Sequence, residues 1–531
     1  MMMAARGEFL LSEQIIHRIQ SFLNGREAAQ TTVLSKSWHQ AWLTRPNLEF
    51  NRYDFYFDYD DDDDDEFLEF MEKTIQRYEE SNLKIESFSL TMDMLNSSCE
   101  TMMIKALGMG VTRLSLVLRE SYASYCSLLP AEVFGCKDLV ELSLSGCRIA
   151  LDPQHQVQLP RLKALSLSYI RVESDDDSDD ESDDESDEVV SVVSGLLSGC
   201  PLLEKLSLKV HDTISHPNLP KLRHLELRRL RINTSFFGDL SCKCPLMRDL
   251  SIHHCSFRGN LLISCPTIEY LNIEYLHIER NSIAKTVSCV EFDVPSIRKF
   301  KFKSFEILPY SLSFKSTNLR EWESHLSIPS SCCVGTTGVI GLNKLLTDLR
   351  HSKIHLLIEV DEINVGNTRS FNNDVWKFNG LTLHQVEELT IDGMDYNISS
   401  FMGFALGFAL FDGLFRLCRP KFVTQHNSKT SNPIPCVFRL CRPKFITTIN
   451  RIPCVSDFLF KLFLRHGINH ECSARSLDMY GLRHLEEVRA QIFYADVYTW
   501  RLITLDTWDA LKDQKKIRFQ LKWRDESQQV N

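Results

Sequence analysis

The most regular hydrophobic pattern in the chain is the phrase L-x-x-L-x-L, in which apolar and polar positions alternate. Alternation with a period of two predicts short β-strands whose leucines face a core and whose intervening side chains face outward. Clear copies of the phrase occupy residues 111–116, 139–149, 162–172, 203–210, 222–232, 247–257, 268–278 and 297–307. Weaker copies occupy residues 84–90, 319–324 and 386–394.

The spacing of these phrases predicts how the strands assemble. Their middle apolar residues recur 19 to 29 positions apart, which is a leucine-rich-repeat period, except for one gap of 41 between Leu165 and Leu206. That gap contains the acidic run 174–188, which we interpret as a disordered insertion. One repeat cannot bury its leucines alone, but stacked repeats share a continuous core. The pattern therefore predicts an α/β fold, in which a curved solenoid over residues 81–500 carries a parallel sheet on its concave face.

A different pattern precedes the repeats, in residues 11–46, where apolar residues recur at helical spacing. Ser12 can cap a first helix, Asn24 and Gly25 can end it, and Trp38 and Trp42 lie one turn apart on a third. Three helices in fewer than 40 residues bury little surface. Their exposed apolar residues are therefore predicted to pack on a partner or on a neighbouring domain.

The residues of these helices resemble the F-box of plant F-box proteins. The family pattern begins with Leu-Pro, whereas this chain has Leu11 and Ser12, which keeps a helix cap but lacks the proline. The resemblance implies that this segment docks on a Skp1-like adaptor. The residues expected to bind the adaptor are Leu11, Ile15, Ile16, Ile19, Phe22, Leu23, Leu34, Ser35, Trp38 and Trp42.

An F-box followed by leucine-rich repeats resembles the plant F-box/LRR class. The resemblance implies a substrate-recruiting subunit of an SCF-type E3 ubiquitin ligase, with a Skp1-like adaptor, a cullin-RING ligase and an unidentified protein substrate as partners. In this interpretation the chain is not an enzyme, since partner subunits transfer ubiquitin. Two alternatives stay open: an acidic leucine-rich-repeat interaction protein outside any ligase, and an inactive F-box relic, which Ser12 would favour.

The expected domains are an F-box at 9–50, an acidic linker and helix at 51–80, the solenoid at 81–500, and a C-terminal cap and tail at 501–531. In this family the repeats present the substrate-binding face. Outward strand positions are small and polar in the early repeats and charged in the later ones. The positions favoured for substrate binding are Arg228, His253, Asn272, Glu274, Lys301 and Lys303.

The charge of the chain is distributed unevenly along the sequence. The formal net charge of −11 becomes +8 when the two acidic runs, with 19 acidic residues together, are set aside. The acidic runs and the rest of the chain therefore carry opposite signs. No basic stripe with interleaved aromatic residues appears in the sequence, which argues against nucleic-acid binding.

The N-terminal residues lack an apolar signal segment, and the longest apolar run, 401–415, is interrupted by Asp412 and too short to span a bilayer. The 17 cysteines include no C-x-x-C pair and are expected to be thiols. These features predict a cytoplasmic or nuclear protein with no membrane contact.

Two local features remain. Three serines of the second acidic run, Ser174, Ser178 and Ser182, each have an acidic residue three positions further on. This pattern makes them candidate phosphorylation sites. Residues 415–424 recur almost unchanged at 438–447, and the first copy, 415–437, is expected to form a duplicated loop.

Catalytic motifs for serine hydrolases, zinc proteases, dinucleotide binding and phosphate-binding loops do not occur, and no cofactor is expected. Metal binding by Cys242, Cys244, Cys255, His253 and His254 is a minor alternative.

Overall fold

We describe a computed structural model of the chain. The residues it describes are 11–55, 63–119, 127–150, 157–172, 193–209, 218–232, 234–238, 240–278, 289–304, 311–316, 321–329, 336–360, 382–393, 414, 417–426, 442–449, 485–494, 498–503 and 516–523. The chain divides into two compact units, Met1–Ser256 and Phe257–Asn531. The domain boundaries expected from the sequence stay predictions.

Unit 1 begins with helices and continues with short strands. Its helices include α1 (Glu13–Gln20), α2 (Gly25–Gln30), α3 (Lys36–Leu43), α4 (Asp63–Glu80), α5 (Ser97–Gly108), α6 (Thr234–Gly238) and α7 (Leu240–Lys243). Its strands are β1 (Asn47–Asn51), β2 (Ser87–Met92), β3 (Arg113–Leu118), β4 (Glu141–Ser145), β5 (Arg148–Ile149), β6 (Ala164–Ser168), β7 (Arg171–Val172), β8 (Lys205–Lys209), β9 (His224–Arg228), β10 (Arg231–Ile232) and β11 (Asp249–His253). A two-residue strand, β12 (Ser256–Phe257), lies at the boundary.

The described part of unit 2 consists mostly of strands. It contains helix α8 (Thr336–Asp348) and strands β13 (Leu261–Ser264), β14 (Tyr270–Glu274), β15 (His277–Ile278), β16 (Cys289–Asp293), β17 (Lys299–Lys303), β18 (Ser311–Ser316), β19 (Glu323–Pro329), β20 (Lys353–Val360), β21 (His384–Gly393), β22 (Cys418–His426), β23 (Phe445–Ile449), β24 (Leu485–Tyr494), β25 (Thr499–Leu502) and β26 (Lys516–Trp523).

Parallel pairing dominates in both units. In unit 1, strands β1, β2, β3, β4, β6, β8, β9 and β11 pair in that order, all in parallel. In unit 2, strands β14, β17, β19, β20, β21, β22 and β23 form a second parallel series. The series ends on β26, β24 and β25, which pair antiparallel. The mixed α/β class and the parallel strands at the L-x-x-L-x-L phrases are thus confirmed.

The register explains why the leucines recur. In unit 1 the middle leucines of successive phrases lie opposite each other and are buried: Leu114, Leu142, Leu165, Leu206, Leu225 and Leu250. Unit 2 buries an equivalent row, made of Ile273, Phe302, Leu326, Leu356, Leu389, Val423 and Ile446. Each row is shared by neighbouring repeats, so the core is continuous within each unit.

The residue that follows many of these strands has a left-handed backbone. Gly146, Tyr169, Arg229, His254 and Tyr275 each follow the last residue of β4, β6, β9, β11 or β14, with φ between 52° and 73°. We call these five positions the corners. Only at Gly146 does the surrounding chain forbid a side chain, because a Cβ there would lie 2.0 Å from the Leu118 carbonyl oxygen.

The duplicated segment corrects one prediction. The first copy was expected to loop out, but Cys418–His426 forms strand β22, whose Phe422 and Val423 lie opposite Phe445 and Ile446 of the second copy. The paired residues are 23 positions apart, which is one repeat length, so the second copy extends the sheet in register. Residues 418–426 of the first copy therefore form a strand and not a loop, and residues 427–437 lie outside the described residues.

Candidate functional site

Local sequence signals fix the ends of the N-terminal helices. The Ser12 and Ser35 hydroxyls each accept, at 3.4 Å, the backbone N–H three residues further on. Asn24 and Glu27 form a reciprocal capping box at the start of α2, with distances of 2.8 and 3.1 Å. Ser12 therefore keeps the helix cap, although it stands where the F-box pattern has proline.

Buried polar contacts hold these helices together and attach them to the sheet. The Gln20 Nε2 donates to the Thr31 hydroxyl at 3.0 Å and to the Trp38 carbonyl at 3.3 Å, which joins α1 to α3. The Tyr78 hydroxyl of α4 donates to the Arg45 carbonyl at 2.7 Å in a buried position. These hydrogen bonds satisfy buried donors where α1, α3 and α4 meet the segments next to them.

An exposed apolar surface results. Phe22 is 73% exposed, Val33 is 86% exposed and Leu34 is 63% exposed, and Ile15 and Leu11 are also exposed. Large apolar side chains that lie on α1 and in the turns beside the three short helices, and are left in solvent, are typical of a protein interaction site. We call Leu11, Ile15, Ile19, Phe22, Val33 and Leu34 the N-terminal apolar surface.

The residues expected to bind an adaptor differ in exposure. Leu11, Ile15, Ile19, Phe22, Leu34 and Ser35 are exposed, whereas Leu23, Trp38 and Trp42 are half-buried. Ile16 is only 1% exposed and packs inside the helices. The Trp42 ring lies 5.9 Å from the Arg77 guanidinium of α4, so it also attaches α3 to the next helix. Val33 was not in the predicted set, although its place beside Leu34 could have suggested it.

The sheet of unit 1 carries a groove of about 620 Å³ on its polar face. Its floor is a row of serines from consecutive strands, Ser115, Ser143, Ser166 and Ser207, which lie opposite one another in register. Serine extends only one heavy atom beyond Cβ, so this row leaves open volume above the backbone. We call it the serine groove. The pattern of small outward residues was visible in the sequence, but the volume it leaves was not.

One edge of the serine groove carries paired charges. The Glu226 carboxylate accepts from the Ser207 hydroxyl at 2.8 Å and from Nε of Arg228 at 2.7 Å, and the His253 Nε2 lies 3.8 Å away. Burial opposes ionisation, but the hydrogen bonds from Arg228 and Ser207 hold the pKa of Glu226 below its ordinary value. Two predicted substrate-binding residues, Arg228 and His253, therefore converge on one carboxylate.

The other predicted substrate-binding residues lie on β14 and β17 of unit 2. The Asn272 Nδ2 donates to the Glu274 carboxylate at 3.2 Å. The Lys303 ammonium lies 2.8 Å from the Glu359 carboxylate, which raises the pKa of Lys303 even though burial acts in the opposite direction. Lys301 is exposed and lies between Asn272 and His325 in register. Their role in substrate binding stays a prediction.

The remaining candidates are the possible phosphorylation sites, a metal site and a membrane span. Ser174, Ser178 and Ser182 lie outside the described residues. In the described part of the chain, no group of three His, Cys, Asp or Glu residues is placed to hold a metal ion, and no helix is long and apolar enough to cross a membrane. Burial raises the pKa of the Cys255 thiol to about 11, which disfavours the thiolate that a metal would need.

Comparison with known proteins connects these surfaces to a family. Three proteins of Arabidopsis thaliana are similar to this chain. An FBD-associated F-box protein is 29% identical over 203 residues, which cover 38% of this chain and 45% of the relative. An F-box/FBD/LRR-repeat protein is 24% identical over 303 residues (57% of this chain and 61% of the relative), and an F-box protein is 25% identical over 272 residues (50% of this chain and 56% of the relative). The chain is related to the plant F-box/LRR-repeat proteins.

The similarity to F-box/LRR-repeat proteins has limits. The chain spans about half of the length of these relatives. No family model matches the chain. All three relatives are named for an F-box, and one of them is also named for leucine-rich repeats, which agrees with the resemblance found in the sequence.

Proposed function

We propose that this chain is the substrate-recruiting F-box subunit of an SCF-type E3 ubiquitin ligase. The N-terminal apolar surface binds a Skp1-like adaptor, and the serine groove binds a segment of the target protein. Adaptor and cullin-RING subunits then bring the ubiquitin-transfer machinery to the target, so this chain contributes positioning and no catalytic group. The relationship to F-box proteins supports this proposal.

The observation that carries the proposal is the exposure of Phe22, Val33 and Leu34. Leaving these side chains in water is unfavourable, and full burial of a Val, Leu or Phe side chain contributes about 1.5–3 kcal/mol. An adaptor that covers Phe22, of which 73% is exposed, would therefore gain about 2 kcal/mol from that residue alone.

The serine groove suits an extended target segment. Neighbouring strands lie about 4.8 Å apart, so four serines in register form a floor about 14 Å long, enough for about four extended residues. Positive and negative residues of the groove alternate, among them Arg113, Glu141 and Lys205. A polar segment with little net charge fits this lining better than a strongly charged one.

Adaptor binding is the experiment that tests the proposal. The full chain is immobilised, and binding of a purified plant Skp1-like adaptor is measured for the wild type, Phe22→Asp and Leu34→Asp. A control, Gln76→Asp, adds the same charge on the exposed face of α4. We expect the first two variants to weaken binding at least about tenfold and the control to change it by less than about twofold.

Substitution of Ile16 is not a suitable test, because a charge at a position that is 1% exposed would unfold the helices. Circular dichroism of each variant verifies that the helices persist. If the wild type does not bind any Skp1-like adaptor, the proposal is overturned, and the interaction-protein and relic interpretations remain.

A further inference from the structure

The last strands of unit 2 carry aromatic rings and cations together on one face of the sheet. On β26, Ile517 and Phe519 are buried, so Lys516 and Arg518 face the opposite side. Register places Phe493 of β24 opposite Trp500 of β25, and places Ile446 of β23, which is buried, opposite Phe519. We call Phe445, Phe493, Trp500, Lys516 and Arg518 the aromatic-cation patch.

The cations cover the ring faces. The Arg518 guanidinium lies 4.1 Å from the Trp500 ring centroid and 5.0 Å from that of Phe445. The Lys516 ammonium lies 4.9 Å from the Phe493 centroid and 5.6 Å from that of Trp500. These distances are those of cation–π contacts, which hold flexible cationic side chains in fixed positions.

The two cations are not neutralised by the described residues. Arg518 donates through Nε and Nη2 to a neutral acceptor, the Gln491 side-chain oxygen, at 3.0 and 2.7 Å. The two carboxylates of β24 are paired with other cations, because Glu487 lies 2.6 Å from Arg489 and Glu486 lies 3.3 Å from Lys522. Within the described part of unit 2, the patch therefore presents positive charge beside apolar surface.

Apolar residues border the patch. Leu502, on β25, is 63% exposed, and Tyr498, in the turn before β25, is 84% exposed with a left-handed φ of 48°. The Tyr498 ring lies edge-on to that of Phe493, with 6.3 Å between the ring centroids, so Tyr498 continues the aromatic surface of the patch. Trp, Tyr and Arg are the residues most enriched where binding energy is concentrated.

The chemistry of the patch selects one class of partner. A stacking platform for single-stranded nucleic acid needs open ring faces, and here the faces of Trp500, Phe445 and Phe493 are covered by cations. Carboxylates, in contrast, can reach the cations from the solvent side, and an apolar side chain next to them can reach Leu502. We propose that the aromatic-cation patch binds an acidic protein segment that carries aromatic or aliphatic side chains between its carboxylates.

The test measures binding of a defined probe to the full chain. The probe is a fluorescein-labelled peptide of about ten residues in which pairs of glutamates alternate with single phenylalanines. Its binding is measured by fluorescence anisotropy at low and at high salt. Lys516→Glu reverses a charge within the patch. Lys522→Glu, on the outward side of the same strand, reverses a charge outside it and is the matched control.

We expect Lys516→Glu to raise the Kd of the peptide about tenfold and Lys522→Glu to change it by less than about twofold. Arg518→Gln should act in the same direction, and circular dichroism verifies that this variant folds. Affinity should fall with added salt. The Phe22→Asp variant should bind the peptide normally, so failure of adaptor binding and failure of this inference are distinguishable.

Three results would overturn the inference. The first is an equal loss of binding in the Lys516 and Lys522 variants. The second is equal affinity for a peptide with lysines in place of glutamates. The third is binding of labelled oligothymidine by the patch without binding of the acidic peptide, which would assign the patch to nucleic acid.

Discussion

The first copy of the duplicated segment should contribute to stability as a full repeat. Val423 of β22 is 1% exposed and lies in the buried row of unit 2 between Leu389 and Ile446. If the first copy lay in a loop, Val423 would not be in that row. Val423→Ala therefore separates the two possibilities with one substitution.

The expected effect follows from the burial of Val423. Removing two buried carbon atoms costs about 0.8 kcal/mol each in transfer free energy. A cavity of about 50 Å³ costs about 24 cal/mol for each Å³ that does not collapse. Together these effects lower the free energy of unfolding of unit 2 by about 3 kcal/mol. For a unit of this size, about 2 °C is lost per kcal/mol, so its Tm should fall by about 6 °C.

The control is Lys421→Ala, in the same strand. Lys421 is exposed and pairs with Glu387 at 2.7 Å, and an exposed ion pair contributes at most about 1 kcal/mol. Thermal unfolding of both variants, followed by circular dichroism and tryptophan fluorescence, should show a clear loss only for Val423→Ala. Equal Tm values for Val423→Ala and the wild type would refute the placement of β22 in the sheet.

Three further predictions concern stability. In urea unfolding, Gly146→Ala should lower the free energy of unfolding by at least about 3 kcal/mol, because the new Cβ would clash with the backbone. Gly110 also has a left-handed backbone but has open space around it, so Gly110→Ala should lower the free energy of unfolding by only about 1 kcal/mol. Tyr78→Phe leaves the buried Arg45 carbonyl without its donor and should cost about 1–3 kcal/mol, measured the same way. Burial and the neighbouring His355 lower the pKa of His325 in the folded state. As the pH falls below about 6.5, the unfolded state therefore binds a proton first, and the free energy of unfolding should decrease. In urea unfolding at several pH values, His325→Gln should show a weaker dependence on pH.

The repeats were predictable because their signal is local and periodic. Leu114, Leu142 and Leu165 recur at nearly equal spacing, and each must face a core for the repeat to be stable. The N-terminal helices were predictable for a similar reason, since Ser12 and Ser35 are strong capping residues in front of apolar periodicity. Patterns of this kind depend on neighbours in sequence, which the sequence displays directly.

What could not be predicted depends on neighbours in space. The serine groove needs small residues on four strands that are far apart in sequence, and the aromatic-cation patch needs β23, β24, β25 and β26 to pair in a particular order. The near identity of residues 415–424 and 438–447 suggested a loop, whereas their separation of one repeat length would have favoured a strand. Burial of Ile16, within a set whose other members are exposed or half-buried, likewise follows from helix packing and not from periodicity alone.

The corners have a consequence for how this protein can change through evolution. At Tyr169, Arg229, His254 and Tyr275 the backbone is held left-handed, yet the side chains differ in size and charge. The backbone N–H groups of Tyr169, Arg229 and Tyr275 donate to the last carbonyl of the neighbouring strand in the sheet (β8, β11 and β17) at 2.8, 3.0 and 2.8 Å, and this bond does not depend on the side chain. Mutation at these positions therefore alters surface contacts, such as those of the Tyr169 and Tyr275 rings with the Lys209 and Lys303 ammonium groups at 4.2 and 5.6 Å, while the backbone bond keeps the repeats in register.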